Sequence, residues 1–144
     1  MPAGYSGTPL ARKLGLEAGQ RVGVRNAPAH LETLLEGGGP LPRLLRFSPR
    51  GARYERILWF VPDQAALGRG IATVTERLDV DGRLWVCWPK KRSPLFRDLT
   101  EDGVREQAFP LDLVDVKVCA VDEDWSGLAL VFRKERRAAV AAGR

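Results

Sequence analysis

The chain has 144 residues, 44% apolar and 28% charged, which suits one globular domain with a sizeable core. No apolar run approaches a membrane span, and Met1 to Gly7 lack the charged-then-apolar pattern of a secretory signal, so a cytoplasmic protein is expected. The net charge of +5 is uneven: Arg133 to Arg144 hold five cations and one anion, whereas the other 132 residues hold 18 cations and 17 anions, so the basicity does not by itself mark a nucleic-acid binder.

Thr8-Pro9 predicts a helix start, with threonine as cap and proline at the first position. Leu10, Leu14 and Leu16 follow, and Gly15 is the expected stop. The arm of residues 1–9 is read as packed on the domain through Tyr5 rather than disordered. Arg21 to Arg25 form a short strand, and Asn26-Ala27-Pro28 turn the chain. A helix from about Ala29 to Glu36 places Leu31, Leu34 and Leu35 on one face, and Gly37-Gly38-Gly39-Pro40 end it. Arg43 to Phe47 read as a weaker strand, and Ser48-Pro49-Arg50-Gly51 as a turn.

Arg56 to Val61 form the next strand. Asp63 is expected to cap a helix in which Leu67, Ile71, Val74 and Leu78 recur at helical spacing, while Gly68 and Gly70 weaken it by about 1 kcal/mol each. Asp79 to Gly82 read as a turn. Leu84-Trp85-Val86-Cys87-Trp88 then form an unbroken apolar run that stops at Pro89 and three cations, Lys90, Lys91 and Arg92. So short a run reads as a strand buried on both faces, at the centre of a parallel sheet covered by helices. Asp98 and Glu101 have capping-box spacing for a helix ending near Phe109-Pro110. Val114 to Val121 alternate, with valines on one face and Asp115 and Lys117 on the other, as in a sheet-edge strand. Leu128 to Phe132 return antiparallel.

Strands alternating with helices imply an α/β fold, a Rossmann-like three-layer sandwich with a mostly parallel sheet and a C-terminal antiparallel hairpin. A single domain spans 10–134, followed by a basic tail, 135–144, read as flexible or helical. Cys87 and Cys119 lie in apolar runs without CxxC spacing and read as buried hydrophobes of a reducing compartment. His30 is the only histidine, so a zinc site or a Ser-His-Asp triad has almost nothing to be built from.

The element order resembles a shortened Rossmann-like methyltransferase. More specifically, four segments resemble a family of small bacterial proteins catalogued as domain-of-unknown-function family 3052. They are Gly4-Tyr5-Ser6-Gly7-Thr8-Pro9-Leu10, Leu84 to Lys91, Asp98 to Asp102, and Val114 to Leu128. That resemblance implies the fold and brings no established activity. The chain departs from the methyltransferase pattern in two places. The turn after the first strand, Val24-Arg25-Asn26-Ala27-Pro28-Ala29, has no glycine to let the backbone approach a ligand. The second strand ends in Phe47-Ser48-Pro49-Arg50, with no acid for ribose hydroxyls, although Arg50 or Arg53 could meet a phosphate.

The carboxyl rim of the sheet should gather Asn26, Asp63, Trp88, Lys90, Lys91, Asp122, Asp124 and Trp125. The candidate chemistry there is an anion held by Lys90 and Lys91 beside the flat wall of Trp125. The alternative for the same residues is an ionic cluster between loops. Asp122, Glu123 and Asp124 invite a divalent cation only weakly, so no metal is expected. No two carboxylates can be set opposite each other, so no catalytic residue is assigned.

The expectation is therefore a non-catalytic module that binds a small anionic ligand or a protein partner at the rim, with a homodimer through the edge strand among the partner states. No cofactor is expected under it. The alternative is a minimal methyltransferase using S-adenosyl-methionine. A third reading is nucleic-acid binding through the basic tail and Lys90-Lys91-Arg92.

Overall fold

The sheet grows outward from the apolar run. In the computed structural model, which describes residues 7–144, strand β4 spans Leu78–Pro89, and Leu84, Trp85, Val86 and Cys87 are each at most 1% exposed. The expected packing of Tyr5 lies outside the described residues. Around β4 stand β1 (Val22–Arg25), β2 (Leu44–Arg46), β3 (Tyr54–Phe60), β5 (Leu113–Ala120) and β6 (Trp125–Phe132), in the order β2-β1-β3-β4-β6-β5. The pairs β1–β2, β1–β3 and β3–β4 are parallel; β6 is antiparallel to both β4 and β5. This is a mixed α/β sheet with the expected closing hairpin.

Helices cover both faces. On one side α1 (Leu10–Lys13) and α2 (Leu31–Leu35) bury Leu14, Leu31 and Leu35 against Leu58, Phe60 and Trp85. On the other, α3 (Gln64–Glu76) and α4 (Glu101–Ala108) bury Leu67, Ile71, Val74 and Val104 against Ile57, Trp59, Leu84 and Val86. Alternate residues of β3 and β4 thus serve opposite clusters, which is why Ile57 to Phe60 and Leu84 to Trp88 are apolar throughout. Trp85 is fully buried, and its indole Nε1 donates to the Leu14 carbonyl at 2.9 Å, so the end of α1 is tied to the central strand.

Chain order makes β1 the pivot. The chain passes from β1 to β2 on one side and then crosses to β3 on the other, so the topological switch point lies between β1 and β3. Ligands of open α/β sheets bind outside the carboxyl ends of the strands at such a point. The return from β2 to β3 is unusual. Parallel strands generally need a crossover of about a dozen residues or more, usually a helix, yet residues 47–53 make the return here without one. Two side chains brace it. The Tyr54 hydroxyl accepts from the Ser48 N–H at 2.8 Å. The Arg77 guanidinium, 7% exposed, donates to the carbonyls of Ser48, Gly51 and Ala52. The absent helix leaves the α3-side face of β1 and β2 uncovered.

Several local expectations change. Pro9, not Thr8, is the residue before α1, and no side chain caps that helix. Asp79 to Gly82 belong to β4, whose register against β3 shifts there, rather than forming a turn outside it. Thr100 caps α4 by accepting from the Gly103 N–H at 3.2 Å, while Asp98 accepts from the Gln64 N–H at the start of α3. In β5 a bulge between Asp115 and Lys117 breaks the alternation, so Val116 and Val118 are half exposed instead of lining the core. β5 is an edge strand, as its pattern suggested.

The basic tail forms α5 (Arg137–Ala142) after a 3₁₀ turn at Lys134–Arg136. Its arginines fasten it to the domain. Arg136 pairs with Asp112 at 3.1 Å, Arg137 donates to the Phe132 carbonyl, and the Arg144 guanidinium lies over the Phe132 ring and donates to the Thr75 carbonyl. These contacts hold the tail against the domain. No helix among the described residues is long and apolar enough to cross a membrane.

Candidate functional site

The carboxyl rim is built from the ends of β1, β3 and β4 and from the turn between β5 and β6. At the end of β1, Asn26 adopts φ +57°, in the left-handed region. Asparagine tolerates that region better than other residues with a Cβ, because its short polar side chain bonds locally. The turn for which a glycine was sought is therefore present without a glycine. Sequence reading missed it because it looked for the residue rather than the backbone conformation.

Asp63 follows β3 and caps α3. Its Oδ1 accepts from the Ala66 N–H at 2.9 Å and its Oδ2 meets Arg97 at 3.2 Å. The Ala66 N–H, and then Arg97, hold its carboxyl below the usual range. Trp88 is 6% exposed and packs in the cluster under α3 and α4. Its rim edge joins Lys91, Leu99, Thr100 and Ser126 around a shallow depression.

The β5–β6 turn collects the rest. Asp122 is 8% exposed, and its Oδ1 accepts from the backbone N–H groups of Asp124 and Trp125, both at 2.8 Å. Asp124 accepts from the Ser93 hydroxyl at 2.8 Å. Lys90 is spent on the same turn: its Nζ donates to the Asp122 carbonyl at 2.6 Å and its N–H to the Asp124 carbonyl at 2.8 Å. Burial, and then Arg92, push the Lys90 ammonium below its usual range. Trp125 packs edge-on to Phe60, with ring centroids 5.1 Å apart. The rim thus brings Lys90, Asp122, Asp124 and Trp125 together as a hydrogen-bonded hairpin cap, while Asp63 and Trp88 serve the opposite helical layer.

One pair was not foreseen. His30, just before α2, places Nε2 at 2.8 Å from Asp122 Oδ2, across 92 residues of sequence. The His30 side chain is 51% exposed. In the neutral tautomer whose Nε2 donates to the carboxylate, Nδ1 carries the lone pair. Nothing local in the sequence marks this pairing, since the two residues meet only when α2 and the last hairpin flank the same rim.

Burial pushes both thiols up, the Cys87 thiol far beyond its usual range, so neither is a ready nucleophile.

No family model matches the chain, and no curated protein matches it. Solved structures do. The magnesium protoporphyrin IX methyltransferase of Synechocystis, solved with S-adenosyl-homocysteine bound, superposes with a TM-score of 0.59 at 10% identity, over 85% of this chain and 78% of that one. The N-methyltransferase NodS of Bradyrhizobium japonicum gives 0.57 at 14% identity, over 84% and 90%. A TehB-like S-adenosyl-methionine-dependent methyltransferase of Corynebacterium glutamicum gives 0.52 at 10%, over 91% of each chain. The fold is methyltransferase-like. That finding overturns the expectation of a non-catalytic module at the rim and favours the methyltransferase alternative.

Proposed function

We propose that the chain is a minimal S-adenosyl-methionine-dependent methyltransferase whose cofactor lies at the β1–β3 switch point, over the Asn26 turn. The observation that carries this reading is φ +57° at Asn26. It supplies at the end of β1 the tight left-handed turn that lets backbone approach a nucleotide-type ligand, in a sheet whose order resembles that of methyltransferases. Membership of family 3052 is part of the proposal and rests on the motif residues alone.

When bound, the cofactor supplies an electrophilic methyl group on its sulfonium. The turn at Asn26 and the loop at Pro62 would hold it. The end of β2 offers Arg46 and Phe47 in place of a carboxylate, so its ribose hydroxyls gain no acidic partner there. His30 is the group suited to take a proton from an O–H or N–H acceptor, through Nδ1, and Asp122 is its positioning residue. Asp122 is itself fixed by two backbone N–H groups, so the imidazole is held without help from the substrate.

Calorimetric titration of the full chain with S-adenosyl-methionine and with its demethylated product tests the reading. Both should bind. Asn26→Gly should keep that binding, because glycine adopts the same turn. Asn26→Val should lose it at unchanged secondary structure, because a β-branched residue resists positive φ. Failure of the native chain to bind either compound rejects the assignment.

A further inference from the structure

The face left bare by the missing β2–β3 helix is a groove of about 340 Å³ between the ends of β1 and β2 and the side of α3. Arg25 comes from β1, Arg46 from β2 and Arg69 from α3, with no acid among the lining residues. Among the described residues, no hydrogen bond or ion pair engages any of these three guanidinium groups. Arg77, by contrast, is occupied by three carbonyls, Arg105 by Glu101, Asp102 and Asp115, and Arg136 by Asp112. Three cations on one concavity with no acid in its lining make the groove electropositive, Asp63, outside the lining, being in the field of Arg69.

The groove is also preorganised. The Arg25 guanidinium is stacked near two rings, 5.4 Å from the Phe47 centroid and 5.5 Å from that of Trp59. Gly70 makes this arrangement fit, since a Cβ there would lie 2.7 Å from Trp59 Cζ2 and 3.5 Å from Arg25 Nη1. Arg46 and Arg69 are exposed at the mouth and free to close on a ligand.

We infer that this groove binds the phosphate of a phosphomonoester about the size of a mononucleotide. Guanidinium forks match phosphate oxygens bidentately, and a dianion answers three cations better than a carboxylate does. The volume lies at the small end of the range for small-molecule sites, roughly 300–1,000 Å³. Asn26 lines the same groove, so a ligand anchored by its phosphate reaches the proposed cofactor turn. That the phosphate belongs to the methyl acceptor rests on the methyltransferase reading; phosphate binding itself does not. The site is separate from Lys90 and Lys91, which lie at the end of β4.

The test is calorimetric titration of the full chain with AMP, ribose 5-phosphate and adenosine at low salt, repeated on the double variant Arg46→Gln/Arg69→Gln. Both phosphates should bind and adenosine should not. The double variant should lose at least tenfold in AMP affinity, with its melting temperature unchanged. Adenosine binding as tightly as AMP, native AMP affinity in the variant, or no AMP binding by the native chain overturns the inference. AMP binding without any binding of S-adenosyl-methionine keeps the phosphate site and rejects the methyltransferase reading.

Discussion

Two glycines in one helix should respond to the same substitution with different signs. Gly68 and Gly70 both lie inside α3, where alanine is favoured over glycine by roughly 0.8–1.0 kcal/mol. Gly68 is exposed, and a Cβ there meets nothing within 4 Å. Gly68→Ala should therefore realise the whole gain of about 1 kcal/mol, raising the melting temperature by about 3 °C for a chain of this size. Gly70 is buried, and its added Cβ would stand 2.7 Å from Trp59 Cζ2 and 3.0 Å from Cη2. Trp59 is 2% exposed and set in the core, so the ring has little room to retreat. Overpacking of this kind costs about 1–3 kcal/mol. The net effect of Gly70→Ala is then between roughly zero and 2 kcal/mol of destabilisation, always below Gly68→Ala. Thermal and urea denaturation of the two variants measure the difference directly. In a double-mutant cycle, Trp59→Phe removes the two ring atoms that clash and should restore about 1 kcal/mol to Gly70→Ala. The close-packing account fails if Gly70→Ala stabilises as much as Gly68→Ala.

Two further perturbations follow from the braces and caps. Arg77→Met removes the donors to the Ser48, Gly51 and Ala52 carbonyls and should cost roughly 2–3 kcal/mol in urea denaturation, with faster amide exchange across residues 47–53; a change within error of zero would mean that solvent replaces the guanidinium at no cost. Asp63 has a folded-state pKa below its unfolded value, so its charge contributes stability that is present above about pH 4 and is lost as pH falls through the folded value. Asp63→Asn keeps a capping oxygen but not the charge. It should be less stable than the native chain at pH 7, with the gap closing on acidification; a gap independent of pH would assign the loss to something other than ionisation.

Elements whose signal is local were legible in the chain itself. The run Leu84 to Trp88 identified the central strand because a strand buried on both faces needs apolar side chains at every position. The cap at Asp63 and the stripe of Leu67, Ile71 and Val74 identified α3 for the same kind of reason, since both are set by residues within a few turns of one another. The alternation in β5 misled because a bulge inserts one residue and reverses the faces beyond it, and bulges carry no fixed sequence mark here.

The rim's chemistry was only half legible. Rules about strand ends placed Lys90, Asp122 and Trp125 together, but not that Lys90 is consumed by the hairpin it touches. The glycine-poor turn read as a defect until the backbone at Asn26 showed the conformation that a glycine would have supplied. His30 and Asp122 are 92 residues apart, and Arg25, Arg46 and Arg69 come from three different elements. Composition and periodicity determined which segments are strands and helices, because those depend on near neighbours in the chain. Which charges remain without a partner depends on how distant segments are packed, and that only the tertiary structure decided.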